Sequence, residues 1–199
     1  FDPTVRGGDD KSFVAARRPP FHVSKYIYET FNIPVSADEL TAALSYRPFS
    51  WNTVNYILQK DPTLLTNPEV VRSIAGAGFW SLFRRCIKAG ANFHDKDHQS
   101  RSMLYFASSN CNLRIIKYLL DVAGLDPREL DASYYQQPPF FCYRGSSYSP
   151  RDTAAQLEAL KLMRVKGARL EVTAKDTSLL TEAMNWGHFA IVRYLMEMG

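Results

Sequence analysis

The fold of this chain is decided by residues 90–120, which read GANFHDKDHQSRSMLYFASSNCNLRIIKYLL. The second half of this stretch carries apolar residues at the spacing i, i+3, i+6 and i+7, which is typical of one face of an α-helix. These residues are Leu113, Ile116, Leu119 and Leu120. A single unit of this kind cannot bury its own apolar face, so the sequence requires neighbouring units that pack against it.

The required neighbours occur on both sides of this stretch. Upstream, GAGFWSLFRRCIKAGAN begins at Gly76 and shows the same helix pattern, and Cys111 follows Gly78 by 33 residues. Downstream, NWGHFAIVRYLMEMG ends the chain and contains the pair Gly187-His188. A period of about 33 residues is typical of a stacked array of helix pairs.

The central stretch resembles an ankyrin repeat along its whole length. Residues 90–92 stand where the family's hairpin opens, and residues 97–100 form its tip. Ser102-Met103-Leu104-Tyr105 occupies the T-P-L-H position of the family, and Cys111-Asn112 replaces its Gly-His pair. The resemblance implies an all-α ankyrin-repeat solenoid, in which stacked helix-turn-helix pairs are joined by short β-hairpin loops. It also implies a concave face built from hairpin tips and first helices.

The chain is expected to have two parts. Residues 1–35 are predicted to form an N-terminal arm and capping segment, and residues 36–199 an ankyrin-repeat domain of about five repeats. Local capping signals predict where three of its helices begin. These signals are the capping box from Ser36 to Glu39, Ser50, and the pair Asn67-Pro68.

The fourth repeat departs from the family pattern because its inter-helix turn is missing. An aromatic-rich insertion is expected at residues 131–150, just before this repeat's apolar helix. Two interpretations stay open. Either the two helices run together after Ser149, or the first helix lies near residues 130–137.

The second helices of the repeats, when superposed, share two columns of apolar positions. The columns lie three residues apart, which predicts that each helix turns one face towards the core. The first column is Trp51, Trp80, Leu113, Leu157 and Phe189, and the second is Val54, Phe83, Ile116, Leu160 and Val192.

Composition and charge argue against several classes of function. The net charge is +4, and the basic residues are scattered except for Arg84, Arg85 and Lys88. Such a cluster is typical of a solvated helix face, so no nucleic-acid partner is expected. No apolar run reaches the length of about 18 residues that a membrane helix needs. The three cysteines show no disulfide spacing, and Cys86 is expected to fill the core.

Catalytic motifs are absent from the sequence. It contains no G-x-S-x-G, no glycine-rich phosphate loop and no H-E-x-x-H. We therefore expect no catalytic residue, no cofactor and no metal. His94 and His98 flank Asp95-Lys96-Asp97 with a metal-like spacing, but the ankyrin register places them on a charged hairpin tip.

The candidate site is a surface that binds another protein. In the family, hairpin tips and first helices face the concave side, and aromatic and arginine side chains commonly anchor interfaces. Two alternatives stay open: the insertion aromatics fold back to fill the fourth repeat, and Trp186 packs beneath them. The predicted partner-binding residues are His98, Gln99, Arg101, Ser109, Asn110, Tyr134, Tyr135, Phe140, Phe141, Tyr143, Asn185 and Trp186.

The sequence thus predicts a soluble, non-catalytic protein-binding module that is monomeric by itself. Its first residue is Phe1, which suits the mature form of a secreted effector that acts on host proteins. Residues 17–23 resemble a docking peptide for mitogen-activated protein kinases, so a host kinase is one candidate partner. Two alternatives are an adaptor fragment of a larger cytoplasmic or nuclear protein, and the substrate-recruiting part of an enzyme whose catalytic domain lies elsewhere.

Overall fold

The computed structural model describes residues 21–45, 49–109, 112–128, 150–168, 179–185 and 187–198. Within these residues the regular structure is helical and no strand occurs. The helices are α1 (Phe21–Thr30), α2 (Ala37–Ser45), α3 (Trp51–Lys60), a 3₁₀ helix (Pro62–Thr66), α4 (Pro68–Ala77), α5 (Trp80–Lys88), α6 (Met103–Ser109), α7 (Leu113–Asp121), α8 (Pro150–Val165), α9 (Leu179–Asn185) and α10 (Phe189–Met198).

The three predicted helix starts are confirmed. The backbone N–H of Glu39 donates to Ser36 Oγ at 3.3 Å. Ser50 Oγ accepts from the backbone of Thr53 at 3.3 Å, at the start of α3. Asn67 Oδ1 accepts two backbone N–H groups at the start of α4, where Pro68 is the first helical residue. These side chains satisfy amide groups that have no partner inside the helix.

Two layers of helices follow from the pairing of these elements. The first helices of successive pairs, α2, α4 and α6, lie side by side, and α4 contacts both of its neighbours. Behind them, α5 contacts α7, α7 contacts α8, and α8 contacts α10. This arrangement is the stacked all-α array that the sequence predicted.

A side-chain hydrogen bond joins the second and third pairs at the turn between α4 and α5. Asn112 Nδ2 donates to the carbonyl oxygen of Gly78 at 2.7 Å, and Asn112 Oδ1 accepts from the backbone of Ile115 at 3.2 Å. Gly78 has φ +76°, a left-handed conformation that glycine adopts without a Cβ penalty. Asn112 therefore caps α7 and fastens it to the preceding repeat.

The fourth repeat contains one continuous helix, α8, and the predicted inter-helix turn is indeed absent from residues 150–165. This agrees with the interpretation that the helices run together after Ser149. The alternative first helix near residues 130–137 lies outside the described residues. Met163 of α8 is buried, and its sulfur lies 3.7 Å from Ser108 Oγ of α6, so α8 packs directly on the third repeat.

The core confirms the second of the two apolar columns. Val54, Phe83, Ile116 and Leu160 have no exposed surface, and Val192 is half-buried. The first column lies at the edge of the core, and all of its members except Leu157 are the first residue of their helix. Trp51 is 43% exposed and Phe189 is 83% exposed. Cys86 is fully buried, as expected of a core filler, and burial raises the pKa of its thiol to about 12.

The helix α1 packs on α3 through aromatic side chains, consistent with a capping segment. The rings of Tyr28 and Tyr56 lie 5.9 Å apart, and Phe21 meets Tyr56 edge-on at 6.1 Å. The Tyr28 hydroxyl donates to the buried carboxyl group of Glu39 in α2. Burial raises the pKa of Glu39, and the hydrogen bonds from Tyr28 and the Ser36 backbone oppose that shift.

None of the helices in the described part of the chain has both the length and the apolar composition that crossing a membrane requires. The division of the chain at residue 35 remains a prediction.

Candidate functional site

The loop that precedes α6, residues 91–101, is the predicted hairpin of the third repeat, and we call it the finger loop. Its tip is a tight turn in which the Ser100 N–H donates to the carbonyl oxygen of Asp97 at 2.9 Å. Ser100 has φ +59° at this turn. The Asp97 N–H donates to the carbonyl oxygen of Arg101 at 3.1 Å, which closes the loop. The tip thus lies at the predicted residues, but a turn without a strand ladder forms it.

The carboxylate of Asp97 organises this turn. Its Oδ1 accepts the backbone N–H groups of Gln99 and Arg101 at 2.9 and 2.8 Å. Its Oδ2 accepts Nε and Nη2 of Arg101, each at 2.6 Å. Burial acts to raise the pKa of Asp97, but these hydrogen bonds outweigh it and hold the pKa below its ordinary value.

Arg101 is a predicted partner-binding residue, and the structure gives it an internal role. Besides the ion pair with Asp97, its guanidinium lies over the rings of Phe106 and Tyr105, at 4.9 and 5.4 Å from their centroids. Charge-assisted hydrogen bonds and cation–π contacts of this kind fix the side chain to its own loop. The Arg101 guanidinium is therefore committed largely to the finger loop itself.

The other predicted tip residues are more accessible. His98 is exposed and Gln99 is half-buried. His94, the other member of the metal-like pair, is exposed, and its backbone N–H donates to Asn92 Oδ1 at 3.0 Å. Among the described residues no group of three or more metal-ligating side chains comes together.

A cleft of about 510 Å³ lies at the opposite end of the first helices from the finger loop tip, and we call it the Arg72 cleft. Its floor is formed by small, half-buried residues of α4, namely Ser73, Gly76 and Ala77. Phe79 and Phe106 stand at its sides. The residues that line it are Leu44, Ser45, Arg72, Ser73, Gly76, Ala77, Gly78, Phe79, Phe106 and Asn112.

The cleft exists because α4 carries little side-chain volume on its outer stripe. Ser73, Gly76 and Ala77 recur at the spacing i, i+3, i+4 of one helix face. A Cβ atom added at Gly76 would lie 3.7 Å from the carbonyl oxygen of Phe106, at ordinary contact distance. At Gly76 the helices α4 and α6 therefore approach each other closely, and no side chain separates them there.

Among the described residues, Arg72 is the one charged side chain that lines this cleft. Its Nη1 is buried and has no hydrogen-bond partner among the described residues. Neither of two neighbouring polar side chains bonds to this Nη1. Asn112 bonds to Gly78 and Ile115, and Ser45 Oγ donates to the carbonyl oxygen of Thr41 at 2.8 Å. A buried donor without a partner is costly and uncommon in folded proteins.

The structure brings only some of the predicted partner-binding residues towards one another. Arg101 lies over Phe106, which also borders the Arg72 cleft, so the base of the finger loop and the cleft share one surface. Ser109 ends α6, and Asn185 is exposed at the end of α9. The remaining predicted residues, Asn110, Tyr134, Tyr135, Phe140, Phe141, Tyr143 and Trp186, lie outside the described residues.

Sequence reasoning did not identify Arg72 or Phe106 as site residues. The available signal was the run of small residues on α4 beside an arginine, which predicts a shallow, positively charged groove. Phe106 gave no such signal, because its place at the cleft depends on the packing of α6 against α4.

The face of the array that the second helices form carries several basic residues. Arg84, Lys117 and Arg193 lie on the second helices α5, α7 and α10, and all three are exposed. Arg85 is half-buried and donates to Asn55 Oδ1 at 3.2 Å.

Residues 81–120 match the protein-family profile described as ankyrin repeats (many copies). The match covers α5, the finger loop, α6 and most of α7, the same elements whose packing defines the central array. Residues 81–120 of this chain therefore carry ankyrin repeats. Ankyrin repeats mediate protein–protein interactions and are typically non-catalytic, so the array indicates a protein-binding module. No curated protein sequence matches the chain.

Proposed function

We propose that this chain is a non-catalytic module that captures a partner protein on the face formed by α2, α4 and α6. The observation that supports the proposal is the Arg72 cleft, an open concavity on the layer of first helices. Its lining combines aromatic walls with polar groups. Binding sites commonly combine an apolar lining with a few placed polar groups in this way.

The array supports such a role because residues outside the proposed binding face hold the helices in place. The buried second-helix column and the Asn112 bond hold the first helices in place without using their outer stripe. A partner can therefore bind to a surface that is already formed, which lowers the entropic cost of association. The finger loop is likewise held in one conformation by Asp97.

A matched pair of bulky substitutions tests the proposed face. Ser73→Trp places a large side chain on the cleft floor, and Lys117→Trp places the same side chain on the second-helix face, where Lys117 is exposed. Proteins captured by the intact chain are identified by mass spectrometry, and their recovery is then measured with each variant. We expect recovery to fall at least about tenfold with Ser73→Trp, equivalent to about 1.4 kcal/mol, and to stay unchanged with Lys117→Trp.

Circular dichroism and urea unfolding must first show that both variants fold. If Lys117→Trp abolishes capture and Ser73→Trp does not, the partner binds the second helices and the proposed face is wrong.

The cellular role follows from the identity of the captured protein. A secreted effector would bind host proteins, such as a host kinase, whereas an adaptor would bind proteins of its own cell. Parallel capture from the two kinds of lysate distinguishes these roles. An enzyme that uses the array to recruit substrates would instead show its catalytic domain in the same open reading frame.

A further inference from the structure

We infer that the Arg72 cleft binds an acidic side chain, Asp or Glu, from an extended segment of the partner protein. This inference rests on the proposed function and specifies the chemistry of the partner at that face. Its basis is a cation whose buried Nη1 lacks an acceptor, at the edge of an open concavity.

Arg72 has a hydrogen-bond donor that no described group accepts. A guanidinium carries five N–H donors and no acceptor, and it binds a carboxylate through two parallel hydrogen bonds. Arg72 has no ion pair with any described residue. An incoming carboxylate, met by a small rotation of this flexible side chain, would supply the missing acceptor. It would thereby relieve a cost already present in the unbound protein.

Two other polar side chains of the cleft form hydrogen bonds elsewhere in the protein. Asn112 uses its donor and its acceptor within the protein, and Ser45 Oγ donates to its own helix. Neither glycine on the lining has a side chain. None of the described residues that line the cleft carries a carboxylate, so we infer that the negative charge comes from a partner.

The cleft combines small residues with two aromatic side chains. The floor of Ser73, Gly76 and Ala77 allows a partner backbone to come close, and Phe79 and Phe106 border it. Small side chains on the floor leave room for the backbone of an extended segment. The net charge of +4 further favours association with an acidic segment.

Arg101 provides an internal contrast. It has the same chemistry, and it also borders Phe106, but Asp97 already occupies its Nε and Nη2. The acidic side chain of the partner protein is accordingly expected to bind Arg72 and not Arg101.

Random-sequence peptides displayed on phage provide the test. Selection on the intact chain should enrich peptides that contain Asp or Glu at a recurrent position. One enriched peptide and its Asn or Gln counterpart are then synthesised, and their affinities are measured by fluorescence anisotropy. The proteins compared are the unmodified chain, Arg72→Met and Arg84→Met, a matched control because Arg84 is exposed on the second-helix face.

We expect Arg72→Met to weaken the acidic peptide at least about tenfold and Arg84→Met to change it less than about twofold, with the loss decreasing as salt is added. Replacing the peptide's carboxylate by an amide should weaken binding to the unmodified chain as much as Arg72→Met weakens binding of the acidic peptide. The amide peptide and Arg72→Met together should lose little more than either change alone, since the carboxylate and the guanidinium act as a pair. Urea unfolding verifies that Arg72→Met is folded.

The outcomes separate this inference from the proposed function. If Ser73→Trp prevents peptide binding but Arg72→Met does not weaken that binding, the acidic contact is wrong and the proposed binding face is still supported. If neither variant affects an enriched peptide, both proposals fail. Enrichment of peptides without a recurrent acidic residue, or of none at all, overturns the inference, and the capture experiment then decides the function alone.

Discussion

The finger loop and the Arg72 cleft differ in how their charged groups are used. Arg101 lies over the Phe106 ring, and Arg72 lines the same cleft as Phe106. Arg101 of the loop bonds twice to Asp97 at 2.6 Å, whereas Arg72 of the cleft leaves a buried Nη1 without a partner among the described residues. The loop is the more exposed and the more polar of the two, yet its principal charges are already paired.

This difference shows that exposure and charge alone do not identify a binding residue. A polar group that already has good partners gains little from a new one, because binding exchanges one set of hydrogen bonds for another. A buried donor without a partner gains a full interaction when an acceptor arrives. The four predictions below test this comparison, beginning with the largest expected effect.

Gly78→Ala should destabilise the protein by about 2–3 kcal/mol, because it damages the rim of the cleft. The residue has φ +76°, and an added Cβ would lie 2.9 Å from Asn112 Nδ2, which bonds to Gly78 itself. Gly90→Ala is the control, since Gly90 has φ +78° but open space around its Cβ position. It should cost only about 1–2 kcal/mol in urea unfolding. Equal losses would show that the Asn112 contact contributes nothing.

Arg101→Met should cost about 1–2 kcal/mol of unfolding free energy, and Arg72→Met less than about 0.5 kcal/mol. The first change removes an ion pair and leaves the mostly buried carboxylate of Asp97 with fewer donors. The second removes a donor that has no partner. Both variants keep an apolar stem, so the difference between them measures the pairing. A larger loss for Arg72→Met than for Arg101→Met would reverse the comparison.

Gly76→Ala should stabilise the protein by about 0.5–1 kcal/mol, because alanine is favoured over glycine inside a helix. The added methyl group would meet Phe106 only at 3.7 Å and beyond, so no clash opposes the gain. Thermal unfolding followed by circular dichroism measures the effect. A lower melting temperature than the unmodified chain would indicate that the floor of the cleft is more tightly packed than described.

Asp97→Asn should show an effect that depends on pH. The pKa of Asp97 is lowered in the folded protein, so its charged form contributes stability above its unfolded pKa of about 3.9. That contribution is lost as the pH falls through the lower, folded pKa. Urea titrations of both proteins should thus show a difference near neutral pH that shrinks in acid. A difference that grows in acid would mean that the folded pKa is raised.

The local structure of the array could be predicted from short stretches of sequence. Ser36, Ser50 and Asn67 begin helices because a side chain can cap amides two or three residues ahead of it. The column from Val54 to Leu160 is buried because helical periodicity puts those positions on one face. The tip at Asp97 follows from the family's spacing, although the turn lacks the expected strand pairing.

Relations between distant segments could not be predicted in this way. The sequence of α4 shows that Arg72 is present, but its unpaired state depends on which acceptors α2, the turn at Gly78 and α6 bring near it. The predicted interface role of Arg101 similarly overlooked the geometry that turns its side chain back onto Asp97.

The sequence by itself therefore determined the helices, their repeat and the side of each helix that is buried, because these depend on residues within a few turns of one another. The tertiary structure alone decided that α8 is continuous and that Asn112 bonds to Gly78 across 34 residues. It also decided that Phe106 borders a cleft with an unpaired arginine. Such features depend on the close packing of neighbouring repeats. The pattern of apolar residues requires this packing, but it does not fix the positions of atoms as precisely as a hydrogen bond demands.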